Sequence, residues 1–263
     1  MDNKPGIRRN FARRAASYDR HAGMQRFMAQ ELLKQAGGFI RQARRILEIG
    51  CGTGYLTEQI RRANAGALVV ALDLDAALLE RARARLGADP RIAWLVADGE
   101  TWIGGDFEVI ISNASFQWLA HPGATLAAYH RSLAPGGVLA FSTLGPRTFQ
   151  ELGQSLQEAA LLLGLTALPE IPAQGFLDQG NWKRLLHQAG FPETRLRREL
   201  VSATFPSVGQ FLKDLQATGA TNPRPRPFSS RLYKTLISLY RAGYGNNGSI
   251  PVTFEIIWAL AQK

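Results

Sequence analysis

The sequence lacks several features that mark particular classes of protein. It contains one cysteine, Cys51, so no disulfide can form within the chain, and its four scattered histidines argue against a structural zinc site. No apolar run approaches the roughly 18 residues that a membrane-spanning helix needs. The arginine-rich first 20 residues also lack the apolar core of a signal peptide. We therefore expect a cytoplasmic protein with no membrane segment and no metal.

Acidic residues are scarce in two segments of the chain, and the net charge of +10 is correspondingly uneven. Residues 1–45 hold 11 Lys and Arg against 3 Asp and Glu, and residues 195–241 hold 9 against 2, whereas residues 46–194 hold 10 against 15. Two such basic segments attract an acidic partner through long-range electrostatic steering. The excess of Arg over Lys, 25 to 6, equally fits a compositional bias that decorates the surface with arginine.

Short apolar runs alternate with amphipathic segments from residue 45 onward. The candidate helices of this part are 54–64, 75–86 and 122–133, and the candidate strands are 46–49, 67–73, 92–97, 107–113 and 137–143. Strands that alternate with helices predict parallel pairing through crossovers, and the unalternating run 68–72 is typical of a strand covered on both faces. The sequence therefore predicts a doubly wound α/β sheet. Asp75 should cap the helix after the second strand, and residues 134–137 should form a turn.

Helical patterns flank this alternating region. Residues 6–36 should be helical up to Gly37 and Gly38, and a Pro-rich loop over 218–227 cannot be sheet interior. The later part predicts strands over 195–204 and 252–260 and helices over 146–164, 178–189, 207–217 and 229–242. We expect one domain over 1–263, with an N-terminal helical lid (1–38), a ligand-binding core (45–145) and a helical cap inserted before the final strand (205–248).

The most informative motif is the glycine-rich turn at 47–55, which follows the first strand and opens a helix. Glycines there permit positive φ and let a ligand touch bare backbone. A dinucleotide fingerprint requires a glycine where this chain has Tyr55, and no Lys-Ser or Lys-Thr pair follows, as a phosphate-binding loop requires. Asp73 ends the second strand, where a carboxylate can accept both ribose hydroxyls. The ligand should therefore be a nucleoside without a long phosphate chain.

The run Glu48-Ile49-Gly50-Cys51-Gly52-Thr53-Gly54 resembles motif I of the class I S-adenosylmethionine-dependent methyltransferases. The next strand ends resemble, in order, the ribose-binding, adenine-contacting and donor-walling segments of that family. The resemblance implies a Rossmann-like, mostly parallel seven-stranded sheet with helices on both faces. It also implies that S-adenosylmethionine is bound by Glu48, Gly50, Cys51, Gly52, Gly54, Asp73, Leu74, Asp98, Gly99 and Asn113. Taken singly, each acid also fits a helix cap or a surface charge, and Cys51 fits a small turn residue.

Further segments resemble the malonyl-acyl-carrier-protein O-methyltransferases of biotin synthesis, namely residues 11–21 with Gln25, 112–118, 215–222 and 251–254. The Pro-Arg run at 223–227 departs from that family's pattern. The resemblance implies methyl transfer to the free carboxylate of a malonyl thioester, giving the ester that starts pimeloyl and biotin synthesis. It also implies an acidic acyl carrier protein, or coenzyme A, as the handle of the substrate. We expect a monomer that binds neither membrane nor stable nucleic acid.

A carboxylate acceptor needs little acid–base machinery. Carboxyl groups titrate near about pH 4, so the nucleophile is already ionised at neutral pH. Because opposite charges disappear in the transition state, a closed, dry site that aligns the reacting atoms should help most. An arginine among Arg13, Arg14, Arg20 and Arg147 is a candidate for the acceptor carboxylate. No catalytic residue is certain, and the candidates for orienting the substrate, each of which equally fits a structural role, are Tyr18, Gln117, Trp118, Thr221 and Asn222.

Other functions stay open on the sequence alone. Another small-molecule carboxyl or carbon methyltransferase would share the fold. The isoelectric point near 10.2 suggests a nucleic-acid methyltransferase, but Ala114 and Ser115 replace the Pro-Pro-Tyr of amino-methylating enzymes, and no RNA-binding module is recognisable. A non-catalytic S-adenosylmethionine binder would keep the same turn and acids. A nicotinamide dehydrogenase conflicts with Tyr55.

Overall fold

The computed structural model describes residues 6, 18–102, 104–166, 171–217 and 229–263, with the backbone alone at Tyr18. One seven-stranded sheet in the order β3-β2-β1-β4-β5-β7-β6 runs through these residues. Strands β1 to β5 pair in parallel, and β7 pairs antiparallel with both β5 and β6. The bounds are β1 (Arg45–Ile49), β2 (Leu68–Asp73), β3 (Ile92–Val96), β4 (Phe107–Asn113), β5 (Leu133–Leu144), β6 (Glu193–Phe205) and β7 (Ile250–Gln262). The predicted doubly wound, mostly parallel α/β fold class is confirmed.

Helices cover both faces of this sheet, which explains why its central strands are apolar without alternation. On one face Met28, Leu32 and Ile60 pack on the sheet, and on the other Leu126 and Trp182 do so. The helices are α1 (Tyr18–His21), α2 (Gly23–Gln42), α3 (Tyr55–Ala63), α4 (Ala76–Leu86), α5 (Pro122–Ser132), α6 (Gln150–Leu162), α7 (Gln179–Gln188), α8 (Val208–Ala217) and α9 (Ser230–Tyr244). Short 3₁₀ turns occupy Phe116–Trp118 and Pro172–Gly175. No helix in the described ranges combines the length and apolar character needed to traverse a bilayer.

Most predicted boundaries fall within a few residues of those observed. The N-cap at Asp75 is confirmed, since its carboxylate accepts from the amides of Ala77 and Leu78 at 2.8 and 3.1 Å. The prediction of a turn at 134–137 is wrong, because β5 already begins at Leu133. Its ladder with β4 shifts register over this stretch instead.

The predicted helix end at Gly37 and Gly38 is also wrong, because α2 continues to Gln42. Glycine costs a helix interior roughly 1 kcal/mol relative to alanine. Burial of Ile40, which is completely inaccessible, contributes about 1.5–3 kcal/mol, and Ala36 beside it is buried as well. Tertiary packing therefore outweighs local propensity. The lid predicted over 1–38 needs the same correction, since its residues from 23 onward form a core helix packed on the sheet.

The last strand fixes α2 in place. The indole Nε1 of Trp258 in β7 donates to the carbonyl of Met28 at 3.0 Å, and Phe27 packs edge-on against the same indole. The start of β7 also joins α6, α8 and α9 in a third apolar cluster, which includes Phe149, Phe211 and Leu236. This cluster is referred to below as the cap. Its helices α8 and α9 lie within the stretch 205–248, where a helical insertion is predicted, whereas α6 precedes that stretch.

Candidate active site

The turn between β1 and α3 has a backbone conformation that only glycine adopts without strain. Gly50, Gly52 and Gly54 have φ values of +69°, +55° and +80°. The amides of Gly50 and Cys51 both donate to the carbonyl of Leu72, at 2.8 and 3.0 Å, which fastens the turn to the end of β2. A Cβ atom at Gly50 would lie 2.3 Å from the Ser115 hydroxyl oxygen. Any side chain at residue 50 would therefore clash with Ser115.

Asp73 lies beside this turn at the end of β2. Its Oδ2 accepts from the amide of Gly52 at 2.8 Å, and its Oδ1 accepts from the amide of Asp75 at 2.9 Å. Burial raises the pKa of Asp73 to about 6, while these backbone hydrogen bonds act in the opposite direction. Each carboxylate oxygen has a further lone pair, so the group can accept two more hydroxyl donors.

A cavity of about 150 Å³ opens from Asp73 towards the ends of β3 and β4. Its wall is mainly apolar, with carboxylates at the edge, and a Cβ atom at Gly99 would lie 2.7 Å from Ile49. An apolar cavity beside a carboxylate suits a nucleoside. The lining includes Ile49, Leu72, Leu74, Leu78, Ala97, Asp98, Gly99, Trp118 and Leu119. It is referred to below as the apolar cavity.

A second cavity, of about 310 Å³, lies on the other side of the glycine turn, against α1 and α2. It is lined by charged groups of both signs and is referred to below as the charged cavity. The two cavities share Gly50, Gly52 and Asn113, so one ligand can extend across both. The charged lining groups are Asp19, Arg26, Glu48, Glu58 and Arg85.

Glu48 forms part of the floor of the charged cavity and is almost fully buried. Its Oε2 accepts from the Thr57 hydroxyl at 2.6 Å. Burial raises the pKa of Glu48 to about 8, although the Thr57 hydrogen bond lowers it. A cationic ligand group beside Glu48 would favour the ionised carboxylate. Burial also raises the pKa of the Cys51 thiol, which therefore stays protonated and unreactive.

Asp19 connects α1 to the glycine turn. Its Oδ1 accepts from the Thr53 hydroxyl at 2.6 Å, and its Oδ2 accepts from Arg85 at 2.5 Å. Arg26 donates to the carbonyl of Asp19 at 2.5 Å. On the opposite side of α1, His21 lies 3.3 Å from Asp214 in α8. The short helix α1 therefore contacts both the glycine turn and the cap.

The side chains predicted near the methyl donor lie at the end of β4 and in the 3₁₀ turn that follows it. Asn113 donates to the carbonyl of Gln25 at 3.0 Å and accepts from Ser142 at 2.6 Å, which orients it between the two cavities. Trp118 lines the apolar cavity and packs edge-on against Phe176.

Other predicted residues lie away from both cavities. Gln117 is held by the Ala114 carbonyl and the Thr143 hydroxyl and lines neither. Gly54 also lines neither cavity, because α4 packs closely over it. The side chain of Tyr18 and residues Thr221 and Asn222 lie outside the described part.

Of the ten residues predicted to bind the donor, nine line one cavity or the other. Sequence reasoning missed Asp19, Thr53, Arg26 and Arg85, because each joins the site through a contact between distant segments. Arg147, a candidate for the acceptor carboxylate, is exposed, and its Nε donates to Gln150 at 3.0 Å. Within the described ranges, no three His, Cys, Asp or Glu side chains form a group that could hold a metal ion.

Comparison with known proteins agrees with this geometry. A family model described as a methyltransferase domain matches residues 18–194. A phosphoethanolamine N-methyltransferase 2 of Haemonchus contortus, solved in complex with S-adenosyl-L-methionine, superposes with a TM-score of 0.59 at 18% identity. The match covers 95% of this chain and 56% of that one.

Relatives found by sequence share more identical residues with this chain. The malonyl-[acyl-carrier protein] O-methyltransferase of Halalkalibacterium halodurans is 34% identical, covering 99% of this chain and 98% of its own. The enzyme of the same name from a Paenibacillus species is also 34% identical, covering 99% of each chain. The chain belongs to the malonyl-[acyl-carrier protein] O-methyltransferase family.

Proposed function

We propose that this protein transfers the methyl group of S-adenosylmethionine to the free carboxylate of a malonyl thioester carried on acyl carrier protein. The full-length relatives bear the name of this reaction. The observation that carries the donor assignment is the Asp73 carboxylate, fixed by two backbone amides at the junction of an apolar and a charged cavity. The product would be the methyl ester that begins pimeloyl and biotin synthesis.

The two cavities match the two halves of the donor. The apolar cavity, between Leu74 and Gly99, suits the adenine ring, and Asp73 suits the ribose hydroxyls. The charged cavity suits the methionyl group, which carries one positive and one negative charge. Arg26 and Arg85 are the cations available to its carboxylate, while the acids there face its ammonium group. The donor supplies a methyl group on a positively charged sulfur.

Methyl transfer requires the protein to align the reacting atoms and to exclude water from the site. The acceptor carboxylate attacks the methyl carbon as the carbon–sulfur bond breaks, and the bonding electrons remain on sulfur. Opposite charges cancel along this path, so water would stabilise the separated reactants more than the transition state. The link from α1 to the cap and to the glycine turn provides a cover over the site. We propose Tyr18, Trp118, Thr221 and Asn222 as residues that orient the acceptor, with Gln117 as a further candidate that hydrogen-bonds to Ala114 and Thr143.

This function accounts for the whole set of charged groups better than the alternatives. A nicotinamide dehydrogenase conflicts with membership of a methyltransferase family. A donor-binding protein without turnover would need no cover over the site. A nucleic-acid substrate is less suited, because relatives of the same length act on a malonyl thioester by name.

The test is a mass-shift assay on two thioesters in parallel. The purified protein is incubated with methyl-deuterated S-adenosylmethionine and either malonyl-carrier protein or malonyl-coenzyme A. We expect the carrier protein to gain one deuterated methyl ester, and the Asp73→Asn variant to lose most of this activity. A wild-type protein that binds the donor tightly but esterifies neither thioester would contradict the substrate assignment. Failure to bind the donor at all would contradict the whole proposal.

A further inference from the structure

The outward face of α9 is positively charged and contains no acid. Leu232, Leu236 and Tyr240 are buried against the rest of the cap, whereas Arg231 and Lys234 are exposed on the opposite side together with Arg241. The whole stretch 215–254 contains no Asp or Glu. At 1.5 Å per residue, the stripe from residue 231 to residue 241 extends over about 15 Å.

These cations lack acidic neighbours, unlike the eight Lys and Arg residues of the described ranges that form ion pairs. Elsewhere Lys34 pairs with Glu31, and Arg62 pairs with Glu58. Arg231, Lys234 and Arg241 form no ion pair with any acid in the described ranges. Their charge is therefore not neutralised within the protein and is available to a partner.

Two acids of α6 approach α9, but neither faces this stripe. Glu151 is buried and accepts from the amide of Thr253, and Glu158 lies towards Tyr244 at the end of the helix. The positive face is thus uninterrupted along the outer side of the cap.

The cap is physically connected to the donor site. α9 packs on α6, α8 and the start of β7. α8 reaches α1 through the His21–Asp214 contact, and α1 reaches the glycine turn through Asp19 and Thr53. α9 is therefore connected to the charged cavity through α8 and α1.

We propose that Arg231, Lys234 and Arg241 form the docking surface for the acidic carrier protein that presents the malonyl thioester. The proposal rests on the proposed function and adds the surface on which the partner binds. An acidic protein is the partner favoured by charge complementarity, and the relatives' names specify a carrier protein. Charges at the edge of an interface act mainly on association and on its salt dependence.

The test compares two variants with the same change in net charge. The docking variant is Arg231→Glu/Lys234→Glu/Arg241→Glu. The matched control is Arg41→Glu/Arg81→Glu/Lys183→Glu, which reverses three exposed cations on α2, α4 and α7. Each protein is assayed with malonyl-carrier protein and with malonyl-pantetheine, which has the same reacting end but no acidic handle. The dissociation constant for malonyl-carrier protein is measured in parallel by biolayer interferometry at low and moderate salt.

We expect the docking variant to raise KM and the dissociation constant for the carrier substrate roughly tenfold or more at low salt, with kcat nearly unchanged. Added salt should shrink this difference. The control variant should change both constants less than about threefold, and neither variant should alter turnover of malonyl-pantetheine. Equal effects of the two variants would overturn the proposal, because net charge alone would then explain them. Unchanged carrier binding by the docking variant would also overturn it. A wild type that binds the carrier normally but methylates neither substrate would refute the proposed function while leaving the docking surface supported.

Discussion

Asp73→Asn is the substitution that tests the donor site most directly. Both oxygens of Asp73 accept from backbone amides, and we infer that both also accept ribose hydroxyls. An asparagine keeps one of these oxygens and replaces the other with an NH₂ group, which would then point at an amide donor. Hydrogen bonds to a charged group contribute about 1.5–3 kcal/mol each, so the variant should lose about 3 kcal/mol of binding. That corresponds to roughly 100-fold weaker affinity for S-adenosylhomocysteine in calorimetry.

A ligand analogue separates ribose recognition from a distorted turn. The 2′-deoxy analogue of S-adenosylhomocysteine should bind the wild type more weakly than the parent compound, because one acceptor at Asp73 loses its partner. In the Asp73→Asn variant this penalty should shrink, since the two changes affect the same contact. Equal penalties in the two proteins would refute the assignment of the ribose to Asp73. A wild-type affinity for the parent compound in the variant would refute it as well.

Further predictions concern Glu48 in the floor of the charged cavity, Gly50 in the glycine turn, and Asp19 in α1. Glu48, whose pKa is raised by burial from 4.5 to about 8, holds a proton in the folded state that the unfolded chain releases. Its contribution to stability is therefore fully present below pH 4.5 and is lost as pH rises towards 8, by up to about 1.4 kcal/mol per pH unit. Urea unfolding between pH 5 and 8 should show this slope in the wild type and a flatter one in Glu48→Gln. Gly50→Ala should weaken donor binding more than about tenfold, because its Cβ meets the Ser115 hydroxyl at positive φ. Calorimetry should show partial recovery in the double variant with Ser115→Gly, and no recovery would implicate φ alone. Asp19→Asn should raise KM for the donor about three- to tenfold, since it keeps the Thr53 contact but loses its ion pair. Steady-state kinetics that show an unchanged KM would leave Asp19 without a positioning role.

Local chemistry made most of the fold predictable. The glycine turn after β1, the cap at Asp75 and the short apolar runs each identify an element without knowledge of the others. The end of α2 was not predictable in this way. Gly37 and Gly38 are helical because residues far along the chain bury Ala36 and Ile40 beside them. The turn expected at 134–137 failed for a related reason, since pairing with β4 draws these residues into β5.

The site likewise contains residues that the sequence predicts and residues that only tertiary contacts bring together. Residues at strand ends, such as Asp73, Asp98 and Asn113, were predictable, because parallel strands bring their carboxyl ends to one edge of the sheet. Arg85 pairs with Asp19, which lies 66 positions earlier in the sequence, and no periodicity or motif predicts that contact. The charged residues that distant segments contribute to the site are therefore visible only in the structure, whereas the residues of the glycine turn and the strand ends follow from the sequence.

The contact between Trp258 and Met28 bears on how the protein matures in the cell. The two residues are 230 positions apart, and they tie an early helix to the final strand. Closing so long a loop carries an entropic cost that is recovered only after β7 has been synthesised. Until then α2, with Gln25 and Arg26 on it, packs on β4 and β5 but lacks its contact with the final strand. A nascent chain on the ribosome should accordingly bind S-adenosylmethionine more weakly than the completed protein does.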